Sequence, residues 1–385
     1  MGAREPDAVQ LSSRRRGRSR AVSVTIREVA NAAGVSQKTV SRVINNEPRV
    51  LAPTRDRVLA VIKDLGFHPN PLARGLATKL TRNLGLIVPD VANPFFARGI
   101  DGCVAVAEQH GYNVFLATKG SSLQREVQHV RALLGQHVSG IICWVSGIPD
   151  VALEELMDGV AHHCPIVFVD RPPDPEPARH LVHTAVLVDQ RYVGELATQH
   201  LLSEGRRAIA YIGATEAGLS GWVPAQRRAG YRDALRSEGL EPAERWERQM
   251  GYGTIREGMI AASTLLAQRP RPDAFFAYND LLAVGALLAC KRKGLRVPDD
   301  IAIIGVDNTE LATVTDPPLS SIRLHQFQTG SHAVALLLSL LKAATPEESA
   351  ALSETSLPLP DLVVRGSTSL RSLALPSLED IDGLP

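Results

Sequence analysis

Gln37, Lys38, Ser41, Arg42 and Asn45 stand at i, i+1, i+4, i+5 and i+8, so a helix would gather them on one face. That face has almost no apolar content and is dense in amides, hydroxyls and cations. Such groups suit the donor and acceptor edges displayed in the major groove of duplex DNA. Gln37, Lys38 and Arg42 are the candidates to read base edges. A second set of polar and aromatic residues recurs farther along, just after apolar runs: Asp90, Phe95, Phe96, Asp170, Arg171, Asn279 and Asp307. Arg227 and Trp222 lie at the start of a further helical stretch. Carboxylates and amides in that number can hold the hydroxyls of a small polyol in pairs, and an arginine fork adds bidentate binding.

Short elements must position the first set. Thr25 and Glu28 have capping-box spacing, which predicts a helix from Ile26 with Val29, Ala30 and Ala33 inward. Gly34 supplies a turn, and Ser36 can cap a second helix from Gln37 to about Asn45. Val40, Val43 and Ile44 form its apolar side. Two helices joined through a glycine turn are the helix-turn-helix arrangement. Pro53 fits the first turn of a third helix, whose core stripe would be Val58, Val61, Ile62 and Leu65. Asn70-Pro71 has the cap-then-proline order of one more short helix, through Ala77.

From Thr25 to Ala77 the chain resembles the lac-repressor (LacI/GalR) family of bacterial transcription regulators. The matching run is dense and ungapped, with Ala-Gly-Val-Ser at 33–36, Thr-Val-Ser-Arg at 39–42 and Asn-Pro-Leu-Ala-Arg-Gly-Leu-Ala at 70–77. The resemblance continues weakly to about Leu370. It implies that Gln37, Lys38 and Arg42 occupy the family's specificity positions. Thr25, Ser36, Thr39, Ser41 and Asn45 would position the helix on phosphates. Asn70, Ala73 and Leu76 would belong to a hinge helix in the minor groove, with Leu76 as a wedge between base pairs. A two-fold homodimer on a near-palindromic operator follows, since one reader covers only a half-site.

The charge distribution agrees with a DNA partner. The net charge is only +1, yet residues 1–82 carry 16 Lys and Arg against 6 Asp and Glu, and the remainder 26 against 35. A basic reader on an acidic body fits that asymmetry. Residues 1–23, with Ser-Arg-Arg-Arg-Gly-Arg-Ser-Arg at 13–20, are expected to be a disordered basic tail. They either add non-specific attraction for DNA or are dispensable. Cys103, Cys143, Cys164 and Cys290 are widely spaced and lack metal-ligand patterns, so buried reduced thiols are expected. No cofactor or metal is expected. The arginine-rich start has no apolar stretch behind it, which argues against a secretory signal and for action at the nucleoid in the cytoplasm.

In the body, apolar runs alternate with helical stretches. Leu84–Val88, Asn113–Ala117, Gly140–Trp144 and Pro165–Val169 form one strand series. Thr184–Val188, Ala208–Ile212, Ala274–Ala277 and Ile301–Gly305 form another. Such runs predict parallel sheets covered on both faces, with ligands at the strands' carboxyl ends. The fold class expected is therefore an N-terminal all-α helix-turn-helix DNA-binding domain with hinge helix at 24–82. An α/β effector domain of two doubly wound parallel-sheet subdomains, resembling periplasmic binding proteins, follows at 83–370. By resemblance the subdomains are 83–185 with 324–353, and 186–322 with 354–370. A tail of 371–385 closes the chain.

The resemblance also maps an effector pocket onto this sequence. Arg227 matches a ligand-binding arginine in the context Arg-x-Ala-Gly-Tyr, and Asp170 an aspartate that pairs with it. Asn279 and Asp307 match ligand-contacting positions, and Phe95 and Phe96 match positions that wall the ligand. Trp222 is either a further wall or a core tryptophan. Leu324 stands where the family pattern has glutamine, which puts a polar contact from that hinge strand in doubt. The same body would also serve a solute-binding protein or a nucleotide-dependent enzyme. The first leaves residues 24–80 without a use. The second lacks its motifs, since Gly251-Tyr-Gly253-Thr-Ile-Arg256 misses a third glycine and no Walker A run is present. A repressor whose operator binding is controlled by a sugar or sugar derivative is the reading that uses both sets of residues.

Overall fold

The computed structural model describes residues 24–44, 47–67, 81–158, 160, 164–174, 182–215, 221–342 and 357–369. The basic tail, Asn45, the whole stretch from Asn70 to Ala77 and the residues after 369 lie outside these. The chain divides into two compact units, one up to Ala77 and one from Thr78.

In the first unit, α1 (Ile26–Ala33) starts with the expected capping box. Glu28 accepts the Thr25 amide at 2.7 Å, and the Thr25 hydroxyl oxygen accepts the Glu28 amide at 3.4 Å. Gly34 ends the helix at φ 63°, in the left-handed region. Helix α2 (Gln37–Ile44) and α3 (Ala52–Leu65) follow, with Pro53 in the first turn of α3. Val29, Ala30, Ala33, Val40, Val43, Val58 and Phe67 form one small core. Leu65 departs from its expected place in the core stripe and is 39% exposed. The reason is local. Gly66 turns the chain left-handed, and the Phe67 amide bonds back to the Ile62 carbonyl, so Phe67 fills the core in place of Leu65.

The second unit holds two sheets. Strands β1 (Asn83–Val88), β2 (Asn113–Thr118), β3 (Gly140–Trp144), β4 (Ile166–Val169) and β5 (His183–Val186) pair in the order β2-β1-β3-β4-β5, all parallel. Helices α4 (Pro94–Gln109), α5 (Leu123–Gly135) and α6 (Asp150–Met157) connect them. The second sheet has β6 (Ile209–Ala214), β7 (Glu247–Met250), β8 (Ala274–Ala277), β9 (Ala302–Asp307), β10 (Ser320–Arg323) and β11 (Asp361–Val363). Their order is β11-β10-β9-β8-β6-β7, with only β11 antiparallel. Its helices are α7 (Gln190–Ser203), α8 (Trp222–Ser237), α9 (Ile255–Leu266), α10 (Asp280–Arg292) and the short α11 (Leu311–Val314). The long α12 (Gln326–Lys342) returns to pack on α4 and the first sheet.

One grouping differs from expectation. The run beginning at Thr184 pairs with β4 and closes the first sheet as β5, rather than opening the second series. An apolar run shows that a strand exists but not which neighbour it hydrogen-bonds. Strands β7 and β11 were not legible as apolar runs, because Glu-Arg-Gln-Met and Asp-Leu-Val carry charges at a sheet edge.

Helices pair through glycines. A Cβ on Gly194 of α7 would stand 2.1 Å from the Arg227 carbonyl oxygen of α8, and one on Gly258 of α9 would stand 2.2 Å from the Leu282 carbonyl of α10. Gly102 of α4 meets the Phe327 carbonyl of α12 in the same way. All four cysteines are buried and free, and burial pushes the Cys103, Cys164 and Cys290 thiols up to about 12. They are inert packing groups. Among the described residues no helix is long and apolar enough to cross a membrane.

Candidate functional site

In the first unit, Gln37 and Lys38 are exposed at the start of α2, and Thr39, Ser41 and Arg42 are half-buried. The Ser36 hydroxyl oxygen accepts the Thr39 amide at 3.1 Å and shares a hydrogen bond with the Thr39 hydroxyl at 2.9 Å. Ser36 therefore caps α2 as expected, and both hydroxyls stay near the surface. The Arg42 guanidinium sits 3.5 Å from the Glu47 carboxylate, an ion pair that sequence reading did not foresee. Both side chains are more than a third exposed, so the pair is weak and easily exchanged for another partner. Asn45, Asn70, Ala73 and Leu76 lie outside the described residues.

In the second unit, the carboxyl ends of both sheets border one cleft of about 380 Å³. That is within the roughly 300–1,000 Å³ usual for small-molecule sites. Asp90, Phe95, Phe96 and Asp170 reach it from the first sheet and its connections, and Arg227, Asn279 and Asp307 from the second. Phe95 and Phe96 meet edge to face at 5.0 Å, and both lean on buried Trp144 at 6.1 and 6.0 Å. This gives the cleft a rigid aromatic wall.

The polar wall is a connected network. Asp170 accepts the Val188 amide at 3.2 Å and the Gln190 side-chain amide at 3.0 Å. The Gln190 oxygen accepts Nε of Arg227 at 2.8 Å. Another Arg227 nitrogen donates to the Tyr278 carbonyl at 2.6 Å, and the guanidinium lies 4.4 Å over the Tyr278 ring. Burial raises the Asp170 carboxyl above its ordinary value, opposed by the Gln190 and Val188 hydrogen bonds and by the Arg227 charge. Asn279 caps α10 through its oxygen and donates its amide to the Gly253 carbonyl at 3.0 Å. Capping and lining are compatible here, because the cap fixes the side chain at the rim.

Backbone strain gathers at the same place. Val145, Asp170 and Asp307 all line the cleft and have φ of 50°, 53° and 107°. Each such position costs about 1–3 kcal/mol and persists only where its surroundings hold it. Asp307 is held from behind, where Gln326 donates to its carbonyl. The first amino acid of α12 thus supplies the polar contact from this crossover, two residues beyond Leu324, which is buried in the core.

Two expected residues are placed elsewhere. Arg171 does not line this cleft. Its guanidinium is buried against Asp150 at 2.6 Å and Asp174 at 3.1 Å, stacked over Phe168 at 4.1 Å. Asp170 leaves the strand in the left-handed region, at φ 53°, and the chain turn there sends the next side chain away from the cleft. Trp222 also misses the cleft. It packs on the core of the second sheet and borders a separate groove with Arg171 and Pro172, while the next residue, Val223, faces the cleft. Sequence reading missed Gln190, Arg125, Tyr252 and Tyr278. Gln190 had a usable signal, as the first helical residue after the Asp189 cap at a strand's carboxyl end. Ser121 and Tyr252 hydrogen-bond through their hydroxyls across the cleft mouth, joining connections of the two sheets.

Comparison with known proteins agrees with both units. The family described as bacterial regulatory proteins, lacI family, matches residues 25–70. The periplasmic binding protein-like domain matches residues 198–368. The chain is 33% identical to catabolite control protein A of Priestia megaterium over 333 residues, 85% of this chain and 96% of that protein. It is 32% identical to the transcriptional repressor PurR of Pasteurella multocida over 348 residues, 90% of this chain and 99% of that one. Among solved structures, a lac repressor dimer bound to operator and the anti-inducer ONPF matches with a TM-score of 0.76 at 28% identity, covering 90% of this chain and 99% of that one. A complex of the transcriptional regulator CelR with cellobiose matches with a TM-score of 0.62 at 30% identity, covering 89% and 99%. The chain belongs to the LacI family of bacterial regulatory proteins.

Proposed function

We propose that this chain is a sequence-specific repressor whose operator affinity is set by a sugar or sugar derivative in the cleft. The observation that carries the reading is the convergence of Asp170 from one sheet with Arg227, Asn279 and Asp307 from the other on a single cavity. A ligand held by both sides favours one relative orientation of the two sheets, and only such differential binding can shift a conformational equilibrium. Paired carboxylate and amide oxygens opposite an aromatic wall suit the hydroxyls and the apolar face of a sugar ring. The CelR relative was solved with cellobiose, which points the same way.

At the DNA end, Gln37, Lys38 and Arg42 would read base edges, and Thr25, Ser36, Thr39 and Ser41 would contact phosphates. The same role is proposed for Asn45 on sequence grounds, with Asn70, Ala73 and Leu76 in the minor groove. A homodimer is proposed from exposed apolar residues. Phe115 and Leu116 are 40% and 46% exposed on edge strand β2, and Ile260 and Leu288 are 48% and 43% exposed on α9 and α10. Bare edges of that kind are normally covered.

The test is direct. Operator fragments are selected from random duplexes with the full chain, then binding is followed by fluorescence anisotropy while sugars, sugar phosphates and purines are added. A near-palindromic selected site and release by one sugar class are expected. Absence of any preferred duplex, or release by purines alone, would overturn the reading.

A further inference from the structure

We infer that the cleft ligand carries an anionic group, a phosphate or a carboxylate, and that Arg125 at the cleft mouth receives it. This rests on the proposal that the cleft is the effector site. Arg125 lies in the first turn of α5 and lines the cleft, exposed to solvent. The other arginine lining the cleft, Arg227, is buried and already donates to Gln190 and to the Tyr278 carbonyl. Arg171 is spent on Asp150 and Asp174. Among the described residues no carboxylate pairs with Arg125. A guanidinium has five N–H donors and no acceptor, so it calls for an acceptor of negative charge.

The neighbours have the same polarity. The Arg125 guanidinium lies beside Gly120, with Nη1 3.9 Å from where a Cβ would stand, so the wall there is bare backbone. Ser121 and Tyr252, which also line the cleft, share one hydrogen bond between their hydroxyls. Two hydroxyls own two protons, and a mutual bond uses one. One O–H is left to donate, in the same cleft that the Arg125 guanidinium lines. The three carboxylates that line the cleft, Asp90, Asp170 and Asp307, would repel an anion and attract hydroxyls. The ligand is thereby oriented, with its polyol body against Asp307, Asn279 and Arg227 and its anionic group at the mouth. Because Ser121 and Tyr252 belong to opposite sides, an anion held there also bridges the two sheets' connections.

The experiment measures affinity by calorimetry for free hexoses, their 6-phosphates and the corresponding hexonates, using the full chain and its Arg125→Gln, Arg125→Lys and Asp307→Asn variants. A 6-phosphate or a hexonate should bind more tightly than its neutral parent, and which of them does so identifies the anion. Arg125→Gln should weaken that ligand about tenfold to a hundredfold, the range of one charge-assisted contact. Arg125→Lys should recover part of the loss, and added salt should weaken binding to the unsubstituted chain more than to Arg125→Gln. Equal or tighter binding of the neutral hexose, no binding by any of the anions, or full retention in Arg125→Gln would overturn the inference. Asp307→Asn separates the two ideas. If it weakens binding while Arg125→Gln does not, the cleft is the site and the anion is absent. If neither matters, the cleft itself is the wrong site.

Discussion

Asp170 and Arg227 come from different sheets and are joined through one amide. Gln190 donates to the aspartate at 3.0 Å and accepts from the arginine at 2.8 Å. Gln190 opens the helix that follows the crossover after β5, so the segment connecting the two sheets stands buried directly behind the polar wall. A change in the relative orientation of the sheets must stretch or reform this chain of hydrogen bonds. A ligand that touches both ends therefore acts on the crossover directly.

Ligand response should be separable from DNA binding. Asp307→Ala or Arg227→Ala is expected to abolish release of operator by the effector while leaving operator affinity nearly unchanged. Coupling is reciprocal, so saturating operator should weaken effector binding by the factor by which effector weakens operator. Calorimetry with and without operator checks this. Release of either folded variant at the ligand concentration that releases the unsubstituted protein would refute the assignment.

The reader helix offers two opposite effects. Arg42→Ala should cost about 1–3 kcal/mol of discrimination between operator and random DNA, as for one good bidentate base contact. Glu47→Gln should tighten operator binding modestly, because it frees Arg42 from the 3.5 Å ion pair and removes a negative charge near phosphate. Anisotropy titrations on both duplexes measure it. A Glu47→Gln protein that binds more weakly would show that the pair pre-positions Arg42 instead of competing for it.

Leu76 lies outside the described residues, and its role as a minor-groove wedge is a proposal from the sequence. Leu76→Ala should leave the protein folded and dimeric, weaken operator binding and reduce the bend. A circular-permutation gel reads the bend angle, and an unaltered angle would rule the wedge out.

Helix packing is expected to act on the site at a distance. Gly194→Ala would place a methyl 2.1 Å from the Arg227 carbonyl, so α7 and α8 must separate. Overpacking of this kind costs typically about 1–3 kcal/mol. The separation should also lengthen the Gln190–Arg227 contact one turn away and lower effector affinity. Denaturant unfolding and effector titration of the same variant check both parts. A loss of stability with unaltered affinity would show that the two sites are mechanically independent.

Stability should depend on pH through Asp280. Its carboxyl is buried and pushed up to about 6 from 3.8, although Ser321, Thr309 and the Arg365 charge pull the other way. The folded state therefore keeps a proton that the unfolded chain loses above about pH 4. The resulting stabilisation is fully present below about pH 4 and is lost as pH rises through about 6. Asp280→Asn cannot titrate. The stability of the unsubstituted protein relative to this variant should fall between pH 4 and 7 in urea titrations, and a flat difference would contradict the assignment.

Much of this molecule was legible in its amino-acid order. The Thr25–Glu28 box, Gly34 and Ser36 act within a few residues of themselves, so local rules place α1 and α2 without help from the fold. Apolar runs such as Leu84–Val88 mark buried strands for the same reason, since water must be excluded on both faces. The positions of Asp170, Asn279 and Asp307 at strand ends were readable too. The tertiary structure decided what depends on direction and partnership. Asp170 and Arg171 are adjacent in sequence, yet one faces the cleft and the other the carboxylates of buried Asp150 and half-exposed Asp174. Val223, not Trp222, meets the cleft because α8 begins with a fixed rotation. The strand at 183–186 joins the first sheet through hydrogen bonds whose partner no local pattern specifies. Arg125, Gln190 and Tyr252 are ordinary polar residues in sequence, and they become a site only where two sheets, far apart along the chain, turn their carboxyl ends toward each other.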